Sequence, residues 1–214
     1  MKDRPPVLFD LDGTVIDTVE LIRESHRHAV RTVLGRDLSD RDLVANVGRP
    51  LRDQMRFFSE EHAEELFRVY REWNLAHTSR LVRNYPGMPE LLSDLRAAGH
   101  ELAIVTSKSA RIADLAFDIL PLRDNFATVI ASEDTERHKP DPAPVLLALE
   151  RLGAPAEAAT MVGDSPFDLQ SGLAAGTRTI GVTWGFFDRD RLEAVGPDAV
   201  VDGVDELRAH LLGS

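Results

Sequence analysis

The chain has no cysteine among its 214 residues, which excludes disulfide staples, thiolate zinc sites and a cysteine nucleophile and fits a reducing compartment. Positive charge is also scarce. Lysine and arginine number 25 against 36 aspartates and glutamates, a formal net charge of −11. Nucleic acid and anionic membrane both call for a positive footprint, so neither is expected as a main partner. No apolar run reaches transmembrane length, and the opening Met1-Lys2-Asp3-Arg4-Pro5-Pro6 lacks the apolar segment of a signal peptide. A soluble, cytoplasmic protein is expected. The seven histidines show no metal spacing, and the chain carries neither internal repeats nor low-complexity segments.

With 43% hydrophobic residues, the chain is long enough for one large domain or a domain carrying an insertion. An apolar run, Val7, Leu8 and Phe9, predicts a first strand. From about 18 to 83 strand signals are missing, and apolar residues recur at three- and four-residue steps: Val19, Ile22, Ala29, Val30 and Val33, then Leu51, Met55 and Phe58. A third helix from near Ser59 would carry Leu66, Val69, Tyr70 and Trp73 on one face. Beyond Tyr85-Pro86-Gly87 strands alternate with helices. Strands are expected at 102–105, 128–131, 160–162, 179–182 and 199–201, with helices at 89–98, 110–119, 142–152 and from 166 to Gly176. This is an α/β pattern, a Rossmann-like parallel sheet with helices on both faces. The first strand cannot satisfy its backbone groups alone, so 1–16 and 84–214 form one discontinuous core and 17–83 a helical insertion.

Polar residues collect at four strand ends, which open sheets gather along one edge. Asp10 and Asp12 follow the first strand two positions apart and would face one pocket. Two close carboxylates make sense with a cation between them or with one protonated. A carboxylate can also attack phosphorus when an oxygen-liganded hard cation such as Mg²⁺ screens the anions. Asp10 is then the nucleophile and Asp12 the acid and base; the alternative is an ordinary Asp-Gly turn. Thr106 and Ser107, with Lys108, offer hydroxyls and amides to phosphate oxygens, or merely cap a helix. Lys139, stiffened by Pro140 and Pro142, could neutralise phosphate and nucleophile together, or be a surface charge. Asp164 could ligate the metal and Asp168 could orient Asp164, Lys139 or a water, or both could serve a helix start. In the loop Gly48-Arg49-Pro50-Leu51, Arg49 offers a planar cation for a carboxylate or second phosphate, or lies exposed. Given the overall negative charge, any phosphate site must draw on such local cations, a metal and backbone amides.

These residues resemble the haloacid dehalogenase superfamily of aspartyl-phosphate hydrolases: FDLDGT for its first motif, VTS for its second, HKPDP for its third and VGDSPFD for its fourth. The resemblance implies that Asp10 is the nucleophile and Asp12 the general acid, then base. It implies that Thr106 and Lys139 bind the phosphoryl group, and that Asp10, the carbonyl of Asp12 and Asp164 hold Mg²⁺ with Asp168 in support. The insertion at about 17–83 then corresponds to the cap that closes over substrate. Within the superfamily the chain is similar to the phosphoglycolate phosphatase group. Tyr70-Arg71-Glu72-Trp73-Asn74, followed by Tyr85-Pro86-Gly87, is similar to that group's bacterial pyrophosphatase relatives. Ser107 departs from the asparagine often found after the second-motif threonine. The resemblance thus implies a small phosphorylated metabolite or pyrophosphate as substrate, and a monomer or homodimer. A phosphosugar mutase of the beta-phosphoglucomutase type shares the core, although Thr14 favours a phosphatase. A phospho-receiver domain is a third reading, opposed by Asp12, the cap and the later acids.

Overall fold

The computed structural model describes residues 4–213; Ser214 and Met1, Lys2 and Asp3 of the N-terminal segment lie outside the described residues. The apolar run forms β1 (Val7–Phe9), buried throughout, as a strand with partners on both sides and helices on both faces must be. A two-residue strand, β2 (Ile16–Asp17), leads into α1 (Val19–Leu34), α2 (Asp40–Val44), α3 (Leu51–Phe58) and α4 (Ala63–Leu81), and β3 (Arg83–Asn84) then pairs antiparallel with β2. Next come α5 (Met88–Ala97), β4 (Leu102–Val105), α6 (Ala110–Ile119), β5 (Thr128–Ile130) and α7 (Ala143–Leu152). After β6 (Thr160–Gly163), α8 (Pro166–Ala175) and β7 (Arg178–Val182), the described chain is completed by α9 (Arg189–Glu193), β8 (Ala199–Val201) and α10 (Val204–Leu212).

The six-stranded sheet has the order β5-β4-β1-β6-β7-β8, with every pairing parallel. Side chains alternate across it. Val7 and Phe9 join a core with Leu91, Leu95 and Phe117, while Leu8 joins Val105, Met161 and Leu149 of α7 on the opposite face. The strand order reverses at β1, which lies between β4 and β6. Loops leaving those three strands therefore part at their carboxyl ends, where an open α/β sheet forms its crevice.

The helices between β2 and β3 bury a cluster of their own, including Val30, Leu43, Met55, Leu66 and Tyr70. Leu21 at the start of α1 and Val82 after α4 belong instead to the sheet's core. Two differences from expectation have local causes. The long helix starts at Ala63 rather than near Ser59, because Ser59 ends α3: its amide donates to the Met55 carbonyl and its hydroxyl accepts from the His62 amide. The β2–β3 pair, which brackets the stretch read as free of strands, was not expected; two residues carry too little periodicity to signal a strand. Among the described residues no helix is long and apolar enough to cross a membrane.

Candidate active site

Asp10 directly follows β1, and its amide donates to the Val162 carbonyl of β6 at 2.9 Å. Its carboxylate is buried, with Oδ1 2.6 Å from the Nζ of Lys139. The Lys139 ammonium also donates to Asp168 Oδ1 at 2.5 Å and to the Val105 carbonyl at 3.0 Å. Three acceptors thus match its three hydrogens. Asp168 is held in turn: its Oδ2 accepts from the Ser165 amide at 3.0 Å and the Ser165 hydroxyl at 2.6 Å, completing a capping box at the start of α8. The cap role and the lysine-orienting role weighed for Asp168 coexist, one on each carboxylate oxygen.

Asp164 follows β6 and is 1% exposed. Its Oδ1 accepts from the Thr14 hydroxyl at 3.1 Å, and its Oδ2 from the Phe186 amide at 2.7 Å. Glycine is required beside it. Gly13 has φ +81°, and a Cβ there would stand 2.5 Å from Asp164 Oδ2.

Asp10, Asp164 and Asp168 each offer a carboxylate oxygen within 4.8 Å of the others. Burial pushes the Asp10 carboxyl up to about 7, with Lys139 opposing and Asp168 and Asp12 adding to the rise. Burial likewise raises Asp164 well above the usual carboxylate range, reinforced by Asp168 and Asp10. Burial works to lower Lys139, but the charges of Asp10 and Asp168 outweigh it and its pKa rises. One ammonium among three buried carboxylates leaves negative charge uncompensated. An all-oxygen donor set of this kind fits a hard divalent cation.

Asp12 lies beyond the strand, bridged to Ile16, and reaches the same cavity as Asp10 through the turn rather than through strand pleating. Its Oδ1 is 2.9 Å from the Lys108 Nζ. The Thr106 hydroxyl accepts from the Lys108 amide at 3.2 Å. Ser107 differs from the expectation of a phosphate-facing hydroxyl: it donates to the Gly48 carbonyl, 2.6 Å away in the helical segment. Arg49 lines the cavity with its guanidinium 4.7 Å from the Phe167 ring centroid. The cavity encloses about 450 Å³ between the strand ends and the helices. Four features were not anticipated from sequence: the Lys108–Asp12 pair, Thr14 as a donor to Asp164, the Phe186 amide, and α4 residues such as Arg71 and Asn74 in the cavity wall. Only the last had a signal, since Phe67, Arg71 and Leu75 recur every four residues on one helix face.

The family model for haloacid dehalogenase-like hydrolases matches residues 7–182. The chain belongs to that family. Among curated relatives, a pyrophosphatase PpaX of Bacillus cereus is 37% identical over 201 residues, covering 94% of this chain and 93% of its own length. A pyrophosphatase PpaX of Bacillus velezensis is 36% identical over 207 residues, covering 97% and 95%. A solved structure titled a predicted phosphatase, from Clostridium acetobutylicum, superposes with a TM-score of 0.87 at 28% identity, covering 99% of this chain and all of the other. A structure titled a predicted phosphoglycolate phosphatase, from Haemophilus somnus, shares the fold with a TM-score of 0.87 at 22% identity. This haloacid dehalogenase-like hydrolase is an enzyme, and its strand-end acids meet in one buried cluster.

Proposed function

We propose that this phosphatase hydrolyses small phosphorylated anions by way of an aspartyl-phosphate on Asp10, with phosphoglycolate as the first substrate and pyrophosphate as the second reading. The observation that carries the chemistry is the buried Lys139 ammonium, 2.6 Å from Asp10, which lines the cavity, and 2.5 Å from Asp168. That ammonium opposes the rise that burial imposes on the Asp10 carboxyl, favouring its ionised form, and attracts a phosphoryl oxygen. Asp10, Asp164 and the Asp12 carbonyl would hold Mg²⁺, which when bound neutralises the anions brought together here.

Asp10 attacks phosphorus in line, forming an acyl-phosphate bond while the bond to the leaving oxygen breaks. Asp12 supplies a proton to that oxygen. It then takes a proton from the water that attacks the aspartyl-phosphate, releasing inorganic phosphate and returning Asp10 to the carboxylate. Thr106 donates to the phosphoryl oxygens. Residues 17–83 act as a cap that excludes water, and Arg49 within it meets the substrate's second anionic group. Arg49 and Arg71 both line the cavity, and neither forms an ion pair with a carboxylate among the described residues, which supports a doubly anionic substrate. The curated relatives favour pyrophosphate.

Initial phosphate release from phosphoglycolate, pyrophosphate, beta-glucose 1-phosphate and an aryl phosphate, with Mg²⁺ and with a chelator, tests the reading. Mg²⁺-dependent release that disappears in Asp10→Asn is expected, fastest from one of the first two. Return of phosphate to the sugar would favour mutase chemistry, and a long-lived phosphoprotein without release would favour a receiver.

A further inference from the structure

The Ser107 hydroxyl joins two loops that are 59 residues apart in sequence, donating to the Gly48 carbonyl at 2.6 Å. The next carbonyl in that loop, Arg49, accepts from Gln54 Nε2 at 2.6 Å. Successive carbonyls are therefore gripped from opposite sides, one by the α/β core and one by α3. Gly48 is pressed close. Its φ is +103°, and a Cβ would stand 2.7 Å from the Ser165 hydroxyl and 2.9 Å from the Phe167 ring. The Arg49 guanidinium covers that same ring. Ser107, Ser165 and Phe167 all lie on loops or a helix start at the carboxyl edge of the sheet, so the loop at 47–50 is seated directly on the walls of the catalytic pocket.

On the far side, Ser107 is continuous with the expected phosphoryl-binding turn. The Thr106 amide is fixed to the Ile130 carbonyl at 2.9 Å, and the Lys108 amide to the Thr106 hydroxyl at 3.2 Å. The turn is short and internally bonded. Thr106 and Ser107 are adjacent in it, so the expected phosphoryl contact and the Gly48 contact stand one residue apart.

We propose that Ser107 is a positioning residue, a latch whose hydroxyl couples occupation of the phosphoryl pocket to closure of the helical segment. This inference rests on the phosphatase reading above and assigns Ser107 a part that reading leaves open. The hydroxyl holds the Gly48 carbonyl, and the held loop places Arg49 over Phe167 at the cavity wall. Because the coupling is a free energy shared between two events, it runs both ways: phosphate stabilises the closed loop, and the closed loop tightens phosphate.

The test compares wild type, Ser107→Ala and Ser107→Thr as full-length proteins with Mg²⁺. Hydrogen exchange at the amides of 47–51 is read with and without saturating inorganic phosphate, alongside kcat and KM. In wild type, phosphate should slow exchange in this loop. Ser107→Ala should exchange faster there even without phosphate and lose the phosphate-induced protection. Its kcat/KM should fall about fivefold, mainly through KM, as expected for one hydrogen bond of ordinary strength. Ser107→Thr, which keeps a hydroxyl, should restore both readouts. The proposal is overturned if phosphate leaves the wild-type loop unchanged or if Ser107→Thr fails to rescue. It is also overturned if Ser107→Ala weakens phosphate binding while loop exchange without phosphate stays at the wild-type rate, which would place the hydroxyl on the phosphoryl group itself. Exchange is measured without turnover. Absence of hydrolysis from every substrate would therefore defeat the phosphatase reading separately from the latch.

Discussion

Asp168 grips Lys139 at 2.5 Å and so aims its ammonium at Asp10, 2.6 Å away. The opposite oxygen of Asp168 is anchored to Ser165. The helix start thus serves as a rigid mount for a charge supplied by a different loop. Such mounting matters because a buried ammonium that loses a carboxylate partner costs stability as well as alignment.

Asp168→Asn should therefore lower stability by about 3 kcal/mol and slow turnover roughly 10–100-fold, as loss of an orienting partner does. Urea unfolding and phosphate release measured on the same preparation check it. Turnover within twofold of wild type would show that Lys139 keeps its aim without Asp168.

Asp12→Asn should leave the fold intact and lose roughly 10²–10⁴-fold in turnover, the usual worth of a general acid and base. Asp12 sits in a turn beyond β1 rather than in the sheet, and among the described residues its ion pair is with Lys108. Thermal unfolding should move little. Hydrolysis near the wild-type rate would remove Asp12 from the mechanism.

Magnesium should stabilise the protein, and more so as pH rises. Burial has pushed Asp10 up to about 7 and raised Asp164 in the metal-free fold. A raised carboxyl makes the folded state hold protons the unfolded chain has released, so the Asp10 contribution to metal-free stability declines as pH climbs from about 4 to about 7. A bound cation offsets that loss. The rise in thermal midpoint on adding Mg²⁺ should grow between pH 5 and pH 8 and largely vanish in Asp164→Asn. A shift independent of pH would place the ion elsewhere.

His26 should make the helical segment sensitive to acid. It is fully buried between Phe58 and Tyr70, and burial lowers its pKa to about 3, against a partial rise from Gln54. The unfolded chain takes up this proton below about 6.5 while the folded one does not until near 3. The stability that neutral His26 contributes is thus complete above 6.5 and is lost as pH falls toward 3, by about 1.4 kcal/mol per pH unit. His26→Phe keeps a ring and cannot titrate. Chemical denaturation from pH 7 to 4.5 should give a flatter slope for the variant, and equal slopes would mean that His26 takes up its proton in the folded protein as readily as in the unfolded chain.

Local order accounts for much of the molecule. The continuous apolar runs at 7–9 and 102–105, bounded by turn residues, are those of strands buried on both faces. Gly153 and Gly176 end α7 and α8 in the left-handed conformation that their position after an apolar helix suggests. Each motif is a run of neighbouring residues, so its chemistry could be read before its place was known. Asp10, Asp12, Lys139, Asp164 and Asp168 all lie along one edge, as expected, because parallel strands deliver their carboxyl ends together. By contrast, the two-residue strands β2 and β3 and the five-residue helices α2 and α9 were illegible, being too short to establish a period.

By itself, then, the sequence determined a parallel α/β sheet, a helical insertion, and a set of acidic residues and a lysine at the strand ends. Only the tertiary structure decided which partner each side chain met. Thr14 bonds Asp164 across 150 positions, Lys139 joins Asp10 across 129, and Ser107 turns from the phosphoryl site to the Gly48 carbonyl. Spacing along a chain specifies which face of an element a residue occupies, while contacts of this range depend on strand order and on how the helical segment seats against the sheet. Periodicity carries the first kind of information, and only close packing of the finished fold carries the second.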